Sequence, residues 1–409
     1  MSGINVFKST KHGCSIFIRE DLSVLELPTY FSNAVAKNGV VWVPILRRNS
    51  GGFTEQVYDR QEISETSIDI VINRLQQFLM WVFTDGENIS PNLIDSHHNL
   101  PDNIINYYIN DVIIKEQRAG NHSVNQHLMA LRYYYDYLAM TGFTSANSIV
   151  VKPMFKDLAR ANTNPRQAVK YLTPALRSTL YRNTNSIRDE LLLRTGGELG
   201  LRRKENLGLL VNDFRVGNKL HSGFKSLFSE MDTNLDKMQF EYYLQGTFTK
   251  STRNGGGGHP RMLYIHRSLL SRFRQYFDEE RPSSVENTLF LTNGKSHRGT
   301  KISTALASDV FLETKRRVIA LQKKGQINGS MQALEEDHTH HVLRHTFGTD
   351  KFYELCKEKN IPFDDVAPTS QVYRSVARLM GHNAADNKAP ETTKTYIRSC
   401  HIKEAFEND

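Results

Sequence analysis

The feature that most constrains this chain is a change of texture near residue 160, where helical periodicity stops and later resumes. Before the break, Ile68, Val71, Ile72, Leu75, Leu79 and Val82 recur at three- and four-residue steps, with Thr66 and Asp69 spaced as a capping box. Ile104, Ile105, Tyr108, Ile109 and Val112 predict a second helix. Val124, Leu128, Leu131, Tyr135 and Leu138 predict a third, stopped by Gly142. At the break, ARANTNPRQ has Asn, Thr and Pro in place of apolar spacing. Five cations (Lys152, Lys156, Arg160, Arg166 and Lys170) stand against the single Asp157, a net +4 over residues 152–170. Such a stretch reads as a basic joint between two lobes, suited to following a phosphate backbone.

The expected organisation follows from that joint. Residues 1–60 form an N-terminal extension of short extended pieces, such as SIFI (15–18) and VVWVPIL (40–46), with no assignable chemistry. Residues 61–160 form a helical domain, 161–172 the basic linker, and 173–409 a second domain opening at Thr173-Pro174, an N-cap followed by Pro. In the second domain, helices near 186–195 and 203–210 precede strand-like 240–250, the turn NGGGG and strand-like 261–266; further helices follow. This order has no βαβ rhythm, so the expected class is mainly α with a small antiparallel sheet. The glycine tetrad lacks the Lys-Ser/Thr ending of a phosphate-binding loop and reads as a hairpin tip.

Composition excludes several function classes. Lys plus Arg exceeds Asp plus Glu by 8, a modest basic balance compatible with a polyanionic partner. Cys14, Cys356 and Cys400 are few, odd in number and far apart, so neither a disulfide framework nor a CxxC zinc pattern can be built. The first residues lack the apolar core of a signal peptide, and no apolar run approaches the roughly 18 residues of a membrane span. The expectation is a cytoplasmic protein with no membrane partner.

Four separated stretches carry the chemistry: ELGLRRKENLGLLVNDF (198–214), TFTKSTRNGGGGHPRMLYIH (247–266), HTHHVLRHTFGTD (338–350) and ARLMGHNAADNKAPETTKTYIRS (377–399). His341 and Arg344 lie three apart and share a helix face. Arginine forks pair bidentately with phosphate oxygens, and two of them can neutralise a phosphate whose charge grows in a transition state. A tyrosine can attack phosphorus as a covalent nucleophile, and lysine or histidine can protonate the departing oxygen. His338, His340, His341 and His345 also suggest a metal cluster, but no HExxH arrangement accompanies them, so no metal is expected.

These stretches resemble the boxes of the tyrosine recombinase (phage-integrase-like) family. GLRRKE is similar to its Gly-Leu-Arg-x-x-Glu box, which puts the first catalytic arginine on Arg202, a supporting acid on Glu205 and the trailing acid on Asp213. Lys250 matches the family's β-hairpin lysine. HHVLRHTFGT resembles the His-x-x-Arg-His-Thr-Phe box, which gives His341 and Arg344, with His345 in support. LMGH supplies His382, and the nucleophile falls on Tyr396. Tyr373, ahead of LMGH, is the less favoured tyrosine, and Lys394 and Arg253 compete for a basic role. The intervals Asp213–Lys250, Arg344–His382 and His382–Tyr396 are longer than usual for the family.

The resemblance implies a DNA strand-exchange enzyme. It would cut and rejoin duplex DNA at specific recombination sites through a 3′-phosphotyrosyl link and a Holliday junction, integrating or excising a mobile element. It would assemble as a tetramer on DNA and need neither ATP nor a metal ion. Lys152, Lys156, Arg160, Arg166, Lys170, Arg203, Lys204 and Arg253 would contact DNA. A type IB-like topoisomerase and a non-catalytic DNA-binding relative are the competing readings. Beyond Tyr396, Ile402, Ala405 and Phe406 lie on one face of a short helix that needs a partner surface, either its own lobe or a neighbouring subunit.

Overall fold

Ser64 starts one of two 20-residue helices described in the first unit: its hydroxyl accepts from the backbone N–H of Ser67 at 3.2 Å. The helix therefore begins at Glu65, one residue before the Thr66 expected as its cap, and runs to Thr84. The computed structural model describes residues 3–9, 13–48, 51–84, 97–163, 170–249, 258–327, 332–367, 369–382 and 391–407. In the last segment the described side chains are those of Tyr396 and residues 399–406. The described residues fall into two compact units, one ending at Thr163 and the other starting at Lys170.

In the first unit, hairpin β1 (Ile4–Lys8)/β2 (Ser15–Arg19) is followed by helix α1 (Glu26–Asn38) and hairpin β3 (Val40–Arg48)/β4 (Thr54–Glu62). Helix α2 (Glu65–Thr84) leads to α3 (Asp102–Tyr107), which continues in π geometry over Tyr108–Glu116, then to α4 (Asn121–Met140) and α5 (Pro153–Ala161). The expected apolar positions of these helices are buried together: Leu75, Leu79, Ile105, Ile109, Leu131, Tyr135 and Leu138 belong to one core. Residues 1–60 are not a separate extension, because Ile4, Phe17, Phe31, Val35, Val41 and Trp42 are buried in that same core. The missed element is α1. Its C-terminal stop is clear in retrospect: Gly39 takes φ +65° and its N–H returns to the Val35 carbonyl, a left-handed cap that favours glycine. Lys152, Lys156 and Arg160 belong to α5 or its cap, within the first unit.

The second unit opens with α6 (Pro174–Arg182), where the Thr173 hydroxyl accepts from the Leu176 N–H as the Thr-Pro signal predicts. Next come α7 (Ile187–Glu198) and a 3-10 turn at Arg203–Gly208, in place of the longer helix expected there. Hairpin β5 (Phe214–Val216)/β6 (Lys219–His221), helix α8 (Phe224–Thr233) and hairpin β7 (Gln239–Leu244)/β8 (Arg261–His266) follow. Asp213 accepts from the Gly223 N–H and the Ser226 hydroxyl, so it ties down the start of α8. The unit ends with α9 (Arg267–Gln275), α10 (Leu306–Lys323), α11 (His341–Glu358), α12 (Gln371–Leu379) and α13 (Glu391–Glu407). The chain is thus mainly helical with small antiparallel hairpins. The described strands form four separate two-stranded sheets, where one small sheet was expected.

Two apolar cores support this unit. The larger joins α6–α10 with β7 and β8. The smaller gathers Phe347 and Phe352 of α11, Tyr373 and Val376 of α12, and Tyr396 and Cys400 of α13. Helix α13 also carries Lys403, whose ammonium lies 3.3 Å from Asp350 and 3.2 Å from the Tyr171 hydroxyl. Arg177 of α6 pairs with the same Asp350 at 2.8 Å. The C-terminal helix is therefore seated on its own unit by an apolar contact and a buried charge cluster. No described helix is long and apolar enough to cross a membrane.

Candidate active site

Glu205 is the centre on which the motif residues converge. It is fully buried, at the third position of the 3-10 turn, where its carboxylate accepts from the Arg202 backbone N–H at 2.8 Å. That local bond closes a capping box and fixes the carboxylate relative to Arg202, whose own guanidinium donates to it at 2.8 Å. Arg344, on the first turn of α11, lies 3.7 Å from the same carboxylate and is 2% exposed. Its guanidinium donates to the carbonyls of Gly200 and Met380, so it bridges the Arg202 loop to the end of α12. Burial alone would push the Glu205 carboxyl up. The neighbouring Arg261, Arg344 and Arg202 overcome it and hold the group at about 2. The cluster of three arginines and one glutamate carries a net positive charge in a poorly solvated place, which is what binding a phosphate requires.

The histidines line one side of this centre. His341 is exposed at the start of α11, its ring 4.6 Å edge-to-face from that of His345. His341 is held below its ordinary value by desolvation, then by His345, Arg344 and Arg202. Burial, then Arg344, Arg202 and Arg261, bring His382 down to about 3. His345 falls to about 4 through burial and then Lys170, which places that linker cation within reach of the site. His340 is turned away from this face, toward the Leu192 carbonyl at 3.4 Å, and His338 accepts from the Glu335 N–H. The four histidines of the HTHHVLRH segment therefore do not share one focus. Among the described residues no group of three or more His, Cys, Asp or Glu is placed to hold a metal ion.

Tyr396 is 2% exposed, its ring 6.0 Å from that of His345. Burial raises the phenol above its usual value, while Arg344 and Arg202 act in the opposite direction. Those two arginines offset only part of the burial penalty, so the phenol stays harder to ionise than a free tyrosine. Tyr373 is buried in the small core, with its ring 5.2 Å from that of Phe352.

Arg202, Glu205, His341, Arg344, His345, His382 and Tyr396 are brought together. Lys250, Arg253 and Arg166 lie outside the described residues, as does the Lys394 side chain. Lys152, Lys156 and Arg160 are exposed on α5 and its cap, in the first unit, and Arg160 pairs with Asp157 at 3.0 Å. Lys170, Arg203 and Lys204 are exposed in the second unit. One member of the cluster was missed. Arg261, 6% exposed, donates to both Glu205 oxygens at 3.1 and 2.6 Å. A signal existed: Arg261 has the same strand parity as the buried Leu263 and Ile265, so a cation occupies an inward-facing position of β8.

No family model and no curated protein matches the chain. Among solved structures it is similar to the Tn1549 transposon integrase in complex with circular intermediate DNA, at 14% identity over 92% of this chain and 98% of that one, with a TM-score of 0.47. It is also similar to the XerH site-specific recombinase bound to difH substrate, at 14% identity over 83% and 78%, TM-score 0.47. A lambda integrase dimer bound to a COC′ core site is similar at 12% identity over 82% and 89%, TM-score 0.43.

Proposed function

We propose that this chain is a site-specific DNA recombinase of the tyrosine type. The observation that carries the reading is the setting of Tyr396: a buried phenol packed against Gly348 of α11, one turn beyond Arg344, with Arg344 and Arg202 anchored on one carboxylate. Such a cluster has a chemical use at a phosphodiester. Arg202 and Arg344 hold the non-bridging oxygens and stabilise the charge that grows on them, with His341 and His382 at the periphery as neutral hydrogen-bonding groups. As the Tyr396 phenol gives its proton to a neutral histidine of the cluster, its oxygen attacks phosphorus, a bond to the 3′-phosphate forms, and the bond to the 5′ oxygen breaks. The departing oxygen takes a proton from Lys250 and leaves as a 5′-hydroxyl. The phosphotyrosyl link conserves the bond energy, so rejoining consumes no nucleotide, and no metal is required.

In this reading Lys152, Lys156 and Arg160 on the first unit and Lys170, Arg203 and Lys204 on the second follow the DNA backbone. Four copies exchange strands between two recombination sites through a Holliday junction, as integration or excision of a mobile element requires. The direct test is a duplex nicked next to the scissile phosphate, incubated with the wild type and with Tyr396→Phe. The wild type should accumulate a covalent protein–DNA adduct resistant to denaturation. The variant should bind DNA equally well and form none. Normal adduct formation by Tyr396→Phe would move the nucleophile elsewhere. Binding without any wild-type adduct would leave a DNA-binding protein, and supercoil relaxation without junction products would indicate a topoisomerase.

A further inference from the structure

Glu205 receives more charge than its motif explains. Its neighbours come from three elements: Arg202 from its own 3-10 turn, Arg344 from α11 and Arg261 from β8. The first two belong to the phosphate-binding pair, but Arg261 is spent wholly inside the protein. Both its terminal nitrogens point at the carboxylate, and its Nε has no hydrogen-bond partner among the described residues. Leaving a buried N–H unpaired is costly, so the end-on fork is held against that penalty by the carboxylate it grips.

The fork also reaches the loop that carries His382. Gly381 takes φ +60°, and a Cβ there would come within 2.7 Å of Arg261 Nη1. That approach explains glycine at this position of LMGH: it lets the guanidinium pass against the backbone next to His382. Arg261 therefore touches the two segments that flank the phosphate-binding arginines, the Arg202–Glu205 turn and the Met380–His382 turn.

We infer that Arg261 is a positioning residue for the reaction, sharing Glu205 so that Arg202 and Arg344 hold their places and keep their remaining N–H donors for the scissile phosphate. The inference rests on the recombinase reading above. Without Arg261, a fully buried carboxylate would keep only Arg202 and Arg344 as counter-charges and would draw both guanidiniums inward. Arg344, now at an ion-pair distance of 3.7 Å from Glu205, would close on it and lose its register with the substrate. The carboxyl would also be less strongly held ionised, because the burial that pushes it up would be opposed by two cations where there were three.

The test compares wild type, Arg261→Lys and Arg261→Met for single-turnover adduct formation on the nicked duplex between pH 3 and 8, with DNA affinity measured alongside. For Arg261→Met, cleavage should fall on the order of 100-fold, as expected when reacting groups shift by about 1 Å. DNA affinity should stay near wild type, and the acid limb of the rate profile should move to higher pH. Arg261→Lys restores the charge without the fork, so it should return the acid limb toward wild type while recovering only part of the rate. A wild-type rate and acid limb in the Met variant would overturn the inference. A uniform rate loss in both variants with no movement of the acid limb would also overturn it, reducing Arg261 to a packing role. If Arg261→Met does not fold, the Lys variant decides: a full wild-type rate in it would show that the fork is dispensable. Absence of adduct in the wild type itself is a separate result and would reject the recombinase reading.

Discussion

Gly348 and Tyr396 approach so closely that the first has no room for a side chain: a Cβ on Gly348 would sit 2.6 Å from Cζ of Tyr396 and 3.0 Å from its hydroxyl oxygen. The glycine is helical, so the requirement is steric and not a matter of backbone freedom. It lets the α13 tyrosine lie against α11 one turn beyond Arg344.

Gly348→Ala should therefore push the Tyr396 ring aside. The methyl overpacks a closed contact, with an expected cost of about 1–3 kcal/mol against any gain in helix propensity. Urea denaturation should show the loss, and adduct formation should fall more steeply than DNA binding. A variant with unchanged stability and activity would mean that the ring moves away without penalty.

Asp350 is the counter-charge for both Arg177 and Lys403, and the Tyr171 hydroxyl donates to it at 3.3 Å. Asp350→Asn would remove the counter-charge that part-buried Arg177 and buried Lys403 share, at a cost of about 2–3 kcal/mol. Lys403→Met keeps the Arg177–Asp350 pair and should cost clearly less. Equilibrium unfolding of both variants would rank them, and the reverse order would show that Lys403 carries the cluster.

Stability should fall on acidification below neutral pH. Burial holds His340 at about 4, and His345 and His382 are likewise depressed, so the folded chain binds fewer protons than the unfolded one. Their contribution is intact above the unfolded value near 6.5 and declines from there toward pH 4. For the deeply buried His340 the loss between pH 7.5 and 5 should be ~2 kcal/mol. Denaturation midpoints at the two pH values measure it, and His340→Gln should flatten the dependence. An unchanged slope in that variant would assign the effect to other groups.

Lys152, Lys156 and Arg160 recur at four-residue steps on the exposed side of α5, whose buried residues are Phe155 and Ala159. If this stripe follows phosphates, replacing all three by alanine should weaken binding to any duplex. It should also reduce the slope of log affinity against log salt by roughly 0.9 for each phosphate that is no longer neutralised. A salt titration with an unchanged slope would remove α5 from the interface. EDTA should leave cleavage by the wild type intact; a failure to cleave that zinc or magnesium restores would return attention to the histidines.

Local chemistry was legible in the residues. The 3.6-residue spacing of Leu75, Leu79, Leu131 and Leu138 specified helices, because burying one stripe per helix is a local property of the chain. Thr173-Pro174 specified a helix start for the same reason. The pairing of Arg202 with Glu205 is likewise local, since three residues of a tight turn are enough to form it. Other features depended on segments distant in sequence. Nothing in 1–60 indicates that Phe17, Phe31 and Trp42 share a core with α2 and α4, since short apolar pieces carry no information about their partners. Arg261 joins Glu205 across 56 residues, and Gly348 meets Tyr396 across 48, because a buried charge and a missing methyl acquire meaning only from what packs against them. The sequence determined which residues stand as candidates for binding and attacking a phosphate. Only the tertiary structure decided that one buried carboxylate would gather three arginines, since Arg261 and Arg344 reach Glu205 from segments distant in the chain.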